Sequence, residues 1–510
     1  MKRLLLILVI IKCVAGQLRV DPLVSTPKGQ IRGLQAQDGD YDMFLGIPYA
    51  VVDENDPFGP ATPHPGFENT FEAYHGDVSC LQALFSDVKG TIHCLQLDIH
   101  VPKSASSANI LPVLVNIHGG GFVTGDKGGL LPKFLIKHEI IIININYRLG
   151  VYGFLCSSEN RFKNQGLKDQ ILAMQWIKES ISSFGGDVNK ITVIGHSAGA
   201  MSIDLQLLAN EKFANRAIIM SGNALTTWVL APENDNIPID IATELGFTGD
   251  DAKEAIQFLS GIVPEEVVTV AARMGIFRSE SGHASTTPCV ESSDEDGFLT
   301  DYPVNLKPKV KGMDIMIGHT NKEVMFIYPK PEDTEYYRKY DFASELASEF
   351  TEIVDVDTVR QFYIGDEDVN ESLQDAILDY GTDLAFSFPT KRSIDRYLDA
   401  GAKSVYNYMF SYEGGRNILK LMMNYTSPGA CHGDDLGYIF EVPELIGVEP
   451  SEEDREMIEV MTKMWTDFVV IDNLSSRKPY TTCNRINAVP KKVVYSEWAF
   501  ESISDIKSRC

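Results

Sequence analysis

The sequence predicts an α/β protein built on one large, mostly parallel central sheet flanked by helices, and three observations lead there. Short apolar, β-branched runs alternate with stretches of helical periodicity, the pattern of strands interleaved with covering helices. One run, Ile140–Ile145, is almost entirely isoleucine, as expected of a strand buried on both faces. No internal repeat and no low-complexity linker divides the 510 residues, so one large domain is the economical arrangement.

The first sixteen residues stand apart from that domain. Lys2 and Arg3 form a basic start, Leu4 to Ile11 is apolar, and Val14-Ala15-Gly16 has the spacing of a cleavage site. This is the layout of a signal peptide, and the apolar run is too short to span a membrane. The expected organisation is a signal peptide over 1–16 and a single domain over 17–510, secreted in soluble form. Removing three cations takes the net charge from −26 to −29, a balance that disfavours nucleic acid and anionic membranes as partners.

The strands follow in order. Leu111–Ile117 comes first, then Ile140–Ile145. Asp169 to Ile181 is helical, with Ile171, Met174, Ile177 and Ile181 on one face. Ile191–Ile194 is a strand and Ala200, Ile203 and Leu207 continue as a helix. Ala217–Met220, Ile315–Ile317, Val405–Met409 and Val493–Tyr495 supply further strands, and the acidic stretch Glu291–Asp296 is expected as a surface loop.

Seven cysteines remain after the signal segment, an odd number, so at least one is free or joined to another chain. Cys80 and Cys94 are the expected bridge, closing a short loop in an oxidising compartment. The pairing of Cys156, Cys289, Cys431, Cys483 and Cys510 stays open. Cys510 is a candidate either for joining two subunits or for pairing with Cys483. No Cys or His spacing resembles a zinc site, and no metal or other cofactor is expected. Asn370, Asn424 and Asn473 open glycosylation sequons.

Two motifs carry chemistry. Gly195-His196-Ser197-Ala198-Gly199 follows a strand and opens a helix, the setting in which a sharp turn exposes a nucleophilic serine and flanking glycines prevent clashes. His118-Gly119-Gly120-Gly121-Phe122 directly follows the strand ending at Ile117. Its glycines let backbone N–H groups converge with that of Ala198 on a developing oxyanion. A serine hydroxyl needs a base. Only His283, His319 and His432 follow Ser197. In the chain order serine, acid, histidine, elimination leaves His432, in the loop Gly429-Ala430-Cys431-His432-Gly433-Asp434-Asp435.

With these motifs in place the chain resembles the type-B carboxylesterase and cholinesterase family, and most resembles insect secreted carboxylesterases. The likeness runs from about Gly33 to Phe500. It is carried by Leu45-Gly46-Ile47-Pro48-Tyr49-Ala50, Tyr147-Arg148-Leu149-Gly150, Asn164-Gln165-Gly166-Leu167-Lys168-Asp169-Gln170 and Phe184-Gly185-Gly186-Asp187, with the serine turn at Gly195–Gly199 and the histidine loop in order. The resemblance implies the α/β-hydrolase fold and a serine carboxylesterase. It places the acid on Glu323, in Gly318-His319-Thr320-Asn321-Lys322-Glu323. It implies oxyanion donors at Gly120, Gly121 and Ala198, a supporting serine at Ser221, an acyl-pocket aromatic at Trp228, and a buried Arg148–Asp169 salt bridge. Three departures stand out. Ile92-His93 replaces an acidic pair, His196 stands where many relatives carry Glu, and Val324 follows the acid where Gly is usual. The segment Leu81–His93 lacks the Trp of choline esterases, which argues against choline esterase activity, and the resemblance implies small-molecule, neutral or lipophilic carboxylic esters as substrates. A ligand-sequestering relative with slow turnover and a juvenile hormone esterase are the alternatives.

Overall fold

The computed structural model describes residues 20–471 except 85–86, 211–212, 278–284, 293–296, 328–333, 342–343, 345–354, 367–368 and 446, and adds 493–495. Residues 1–16, Asn473, Cys483 and Cys510 lie outside the described residues.

The central sheet takes its strands as β1 (Val20–Thr26), β2 (Gly29–Gln35), β3 (Tyr41–Pro48), β4 (Gln96–Pro102), β5 (Leu111–Ile117), β6 (Ile141–Ile145), β7 (Gly186–His196), β8 (Arg216–Met220), β9 (Asp314–Thr320), β10 (Ser404–Phe410) and β11 (Val493–Tyr495). They lie in the order β1-β2-β3-β4-β6-β5-β7-β8-β9-β10-β11. The pairings from β6 through β10 are parallel, and those on either flank are antiparallel. The sheet is therefore mixed with a parallel centre; every expected strand lies within one of these elements except the isoleucine run, whose strand starts at Ile141, one residue later than expected.

Alternation explains how the central strands bury both faces. Val113, Val115, Ile117, Ile141, Ile143 and Ile145 point into one core with Leu167, Trp176, Ile177, Ile203 and Leu207. Their neighbours Leu114 and Ile142 point into the opposite core with Ile194, Ile218, Trp465 and Phe468. Successive side chains on a strand face opposite ways, so an unbroken isoleucine run serves two layers. Each such side chain contributes about 1.5–3 kcal/mol on burial.

On the first face lie helices α1 (Gln165–Ser180) and α2 (Ala198–Ala209). Helix α1 starts four residues before the periodicity indicated, because Asn164 turns the chain in the left-handed conformation. On the second face packs α6 (Glu452–Val470), whose start is set by Ser451 and Asp454 bonding reciprocally to each other's backbone N–H. Between β9 and β10, α3 (Gln374–Thr382) runs through a π-helical segment (Asp383–Ser387) into α4 (Phe388–Asp399). A short helix, α5 (Ile418–Met423), follows β10.

Arg148 and Asp169 form a buried bidentate pair with both N–O contacts at 2.8 Å. The same guanidinium donates to the carbonyls of Pro57 and Gly59, tying the strand end to the N-terminal loops. A disulfide joins Cys80 and Cys94. A second joins Cys156 to Cys289 across 133 positions, a pairing the spacing left open, while Cys431 is buried with no disulfide partner among the described residues. Beside the first bridge His93 pairs with Glu54 at 3.0 Å.

The expected surface loop at Glu291–Asp296 needs correction at its first residue. Glu291 is buried and accepts from Asn164 Nδ2 at 2.7 Å, Lys168 Nζ at 3.1 Å and the Phe298 N–H at 3.0 Å. It answers polar groups at the start of α1, which its acidic neighbours give no sign of. Residues 293–296 lie outside the described residues.

Candidate active site

The parallel strands end in near alignment. Ile117 lies opposite Gly195, His196 opposite Met220, and Met220 opposite Gly318. The segments leaving those ends therefore meet in one place, outside the carboxyl edge of the sheet, where open α/β sheets place their ligand sites.

Ser197 occupies the turn between β7 and α2 with φ 56° and ψ −124°, a strained conformation for a residue with a side chain. Its N–H is anchored to the Met220 carbonyl at 2.9 Å. The flanking glycines are steric necessities. A Cβ on Gly199 would lie 2.0 Å from the Ile117 carbonyl oxygen, and one on Gly195 would lie 2.5 Å from the Gly199 carbonyl carbon. The serine hydroxyl makes no hydrogen bond among the described residues.

The glycine loop packs directly on this turn. A Cβ on Gly119 would lie 2.5 Å from the His196 carbonyl oxygen. Gly120 takes φ 112°, where its carbonyl turns back to accept from the Val123 and Thr124 N–H groups at 3.1 and 3.0 Å. The N–H groups of Gly120, Gly121 and Ala198 have no acceptor among the described residues. Ala198 also begins a helix, so its N–H sits at the positive end of the helix dipole. The arrangement suits a developing negative charge.

Glu323 opens a short 3₁₀ turn after β9 and is fully buried. One carboxylate oxygen accepts from the Thr320 N–H at 2.6 Å and the other from His432 Nδ1 at 2.5 Å. Burial pushes its pKa up, but the imidazole beside it and the bond to that ring prevail and hold it at about 2. Ser221, buried with φ 54°, faces the same carboxylate. Val324, in place of the usual glycine, is buried in that turn.

The His432 ring is held on three sides. Phe326 stacks on it at 4.9 Å, Phe386 tilts against it at 5.5 Å, and His196 approaches at 4.4 Å. Burial and the neighbouring imidazole both lower the pKa of His196 well below 6.5, so it meets His432 as a neutral ring. Its Nε2 is buried without a hydrogen-bond partner among the described residues. Trp228 packs edge-on against Phe386 at 5.6 Å, one ring away from His432.

Three residues around the Glu323–His432 pair, Phe326, Phe386 and Asp435, carry no site signal in the motifs. Phe326 lies three residues after Glu323, a spacing legible in the sequence, whereas Phe386 is delivered by the π segment and Asp435 by burial, neither visible locally. Asp435 is buried and accepts from Tyr408 at 3.0 Å. Burial first, then the nearby Glu323 charge, raise it to about 7. Asp434, the other acid of this loop, is committed elsewhere. It accepts from the N–H groups of Cys431, Leu419 and Lys420 and from Asn417 Nδ2, all at 2.7–3.3 Å.

A family model described as the carboxylesterase family matches residues 20–497. Esterase FE4 of Myzus persicae is 28% identical over 454 residues, covering 84% of this chain and 79% of that protein. Juvenile hormone esterase of Tribolium castaneum is 29% identical over 501 residues, covering 89% and 84%. Among solved structures, juvenile hormone esterase from Manduca sexta, with OTFP covalently attached, superposes with a TM-score of 0.75 at 26% identity, covering 88% of this chain and 90% of that one.

Proposed function

We propose a mechanism for this chain, which belongs to the carboxylesterase family and is a carboxylic ester hydrolase, in which Ser197 is the nucleophile, His432 the base and Glu323 the acid that orients it. The observation that carries the proposal is the 2.5 Å bond from His432 to a buried, ionised Glu323, beside the strained turn that bears Ser197. Ser197 attacks the ester carbonyl while His432 takes its proton. Glu323 keeps the second ring nitrogen protonated and stabilises the imidazolium. The N–H groups of Gly120, Gly121 and Ala198 receive the oxyanion. The alcohol leaves with the proton from His432, and water then hydrolyses the acyl-enzyme by the same route.

Neutral, lipophilic esters are the proposed substrates. Support comes from what surrounds the base, namely Phe326, Phe386, a neutral His196 and, behind them, Trp228. Trp228 and Phe386 are assigned to the acyl side. A juvenile hormone esterase is a narrower form of the same proposal, supported by the likeness to the Manduca sexta and Tribolium castaneum enzymes. Secretion after cleavage of 1–16, leaving 17–510 as one domain, is proposed from the signal-like start and the two disulfides. Glycosylation is assigned to exposed Asn424, to Asn370 and to Asn473.

Titration with an organophosphate tests the central assignment. One equivalent should abolish activity and label Ser197 in peptide mapping. Label on another residue, or full activity in Ser197→Ala, would overturn it. Stoichiometric labelling without ester turnover would favour a sequestering role. A panel of p-nitrophenyl esters of increasing acyl length, with Trp228→Ala and Phe386→Ala alongside, tests the pocket. Both variants should shift the optimum to longer chains.

A further inference from the structure

We propose that Lys322 is a positioning residue for the Glu323–His432 pair, holding the acid loop, the histidine loop and helix α3 in one register; the proposal rests on the triad assignment above. Lys322 directly precedes Glu323. Its side chain is only 8% exposed, and a buried ammonium persists only when its charge is answered. Three acceptors answer it: Asp375 Oδ1 at 2.5 Å, the Asp375 carbonyl at 3.2 Å and Asp379 Oδ1 at 2.8 Å. Asp375 and Asp379 are four apart on α3 and so share one helical face.

The backbone around Lys322 is tied to the other loop. Its N–H donates to the Ala430 carbonyl at 3.0 Å, and Asn321 Oδ1 accepts from the Ala430 N–H at 2.8 Å. Two hydrogen bonds thus join residues 321–322 to the residue two before His432. The methylene stem of Lys322 lies against Gly429, where a Cβ would come within 2.4 Å of Lys322 Cγ. Gly429 takes φ 99°, so a side chain there is barred by conformation as well as by space. Helix α3 then runs into the π segment that sets Phe386 against the His432 ring.

Lys322 is therefore the node at which the imidazole and two of its neighbours are tied. It reaches Glu323 through the peptide bond, His432 through Ala430 and Phe386 through α3. No proton in the reaction passes through it. Its effect is geometric, because a shift of under an ångström at a charge-assisted bond of 2.5 Å misorients the base.

The test compares kcat and KM of Lys322→Met, Lys322→Arg, the pair Asp375→Asn/Asp379→Asn, and all three changes combined, with Glu323→Gln in the same series. Rates are divided by the concentration of sites titrated with organophosphate, so unfolded enzyme lowers the titre and leaves kcat untouched. Lys322→Met should lower kcat about tenfold or more, in the range expected of misplaced catalytic groups, with KM within about twofold. Lys322→Arg should recover most of the loss. The aspartate pair should match Lys322→Met, and the combined variant should be no worse, since the same contact is already gone. Wild-type kcat in Lys322→Met, or losses that simply multiply, would overturn the proposal. Should Lys322→Met not fold, wild-type kcat in the aspartate pair would overturn it equally. Full activity in Glu323→Gln would instead sink the triad assignment, which separates the two failures.

Discussion

Replacing Glu323 by Gln removes the carboxylate that touches His432, and the structure sets the size of the effect. Full burial alone would raise the pKa of this carboxyl, yet the His432 charge and the 2.5 Å bond hold it at about 2 against an ordinary 4.5. At about 1.4 kcal/mol per tenfold change, ionising this carboxyl beside a charged ring is favoured by about 3 kcal/mol net of burial, with the His432 interaction the largest favourable part. That state arises in the reaction only once the ring has taken the serine proton, so the loss falls on the transition state and not on substrate binding. About 3 kcal/mol is roughly a 10²-fold loss in kcat. A Gln amide can also donate to Nδ1 and force the proton onto the nitrogen that should accept from Ser197, which carries the loss toward 10⁴-fold. Glu323→Gln is therefore expected to lower kcat by about 10²- to 10⁴-fold, with KM changing little, in steady-state hydrolysis of a p-nitrophenyl ester. The same change has a sign in stability. A depressed carboxyl contributes its stabilisation above pH 4.5 and loses it as pH falls through about 2, so the variant's melting temperature should fall less steeply over that window. A kcat within threefold of wild type would refute the reasoning. Asp434 could not explain such a result, because four donors already occupy its carboxylate, and attention would pass to Asp435.

Three further outcomes follow from particular residues. Gly120→Ala should lower kcat about 10²- to 10³-fold in single-turnover acylation, because its Cβ would lie 2.1 Å from the Thr124 carbonyl oxygen at φ 112°; unchanged acylation would remove Gly120 from the oxyanion site. Cys156→Ser/Cys289→Ser should destabilise by about 5 kcal/mol and Cys80→Ser/Cys94→Ser by about 3 kcal/mol in the chain-entropy model, since the bridges span 133 and 14 positions; denaturant titration giving the opposite ranking would contradict it. Asp435, raised to about 7 from 3.8 by burial and by Glu323, binds its proton more tightly folded than unfolded, so its contribution is in place below pH 3.8 and is lost as pH rises to about 7. Asp435→Asn should flatten that part of the decline in melting temperature between pH 4 and 8, and a slope equal to wild type would count against it.

Much of the fold was legible because it depends on local pattern. A β-branched isoleucine run at 140–145 favours a strand covered on both faces, and the structure buries Ile141 and Ile142 in opposite cores. The turn at Ser197 is equally local. Glycines at 195 and 199 are demanded by contacts under 3 Å, so the spacing of the motif already contains its geometry. The acid was harder to read. Many carboxylates lie between Ser197 and His432, and only likeness to a family singled out Glu323.

What only tertiary structure decided are matters of distance between remote segments. It put β6 between β4 and β5, paired Cys156 with Cys289, and drew Glu291 inward to the start of α1. It brought Phe386 to His432 through a π turn and Asp375 and Asp379 to Lys322. The physical reason is one of range. Turn sterics and strand alternation act within a few residues and leave a signature in their spacing. A buried charge finds its partner only once the sheet has set which loops meet, and until then every acid in the chain is an equal candidate.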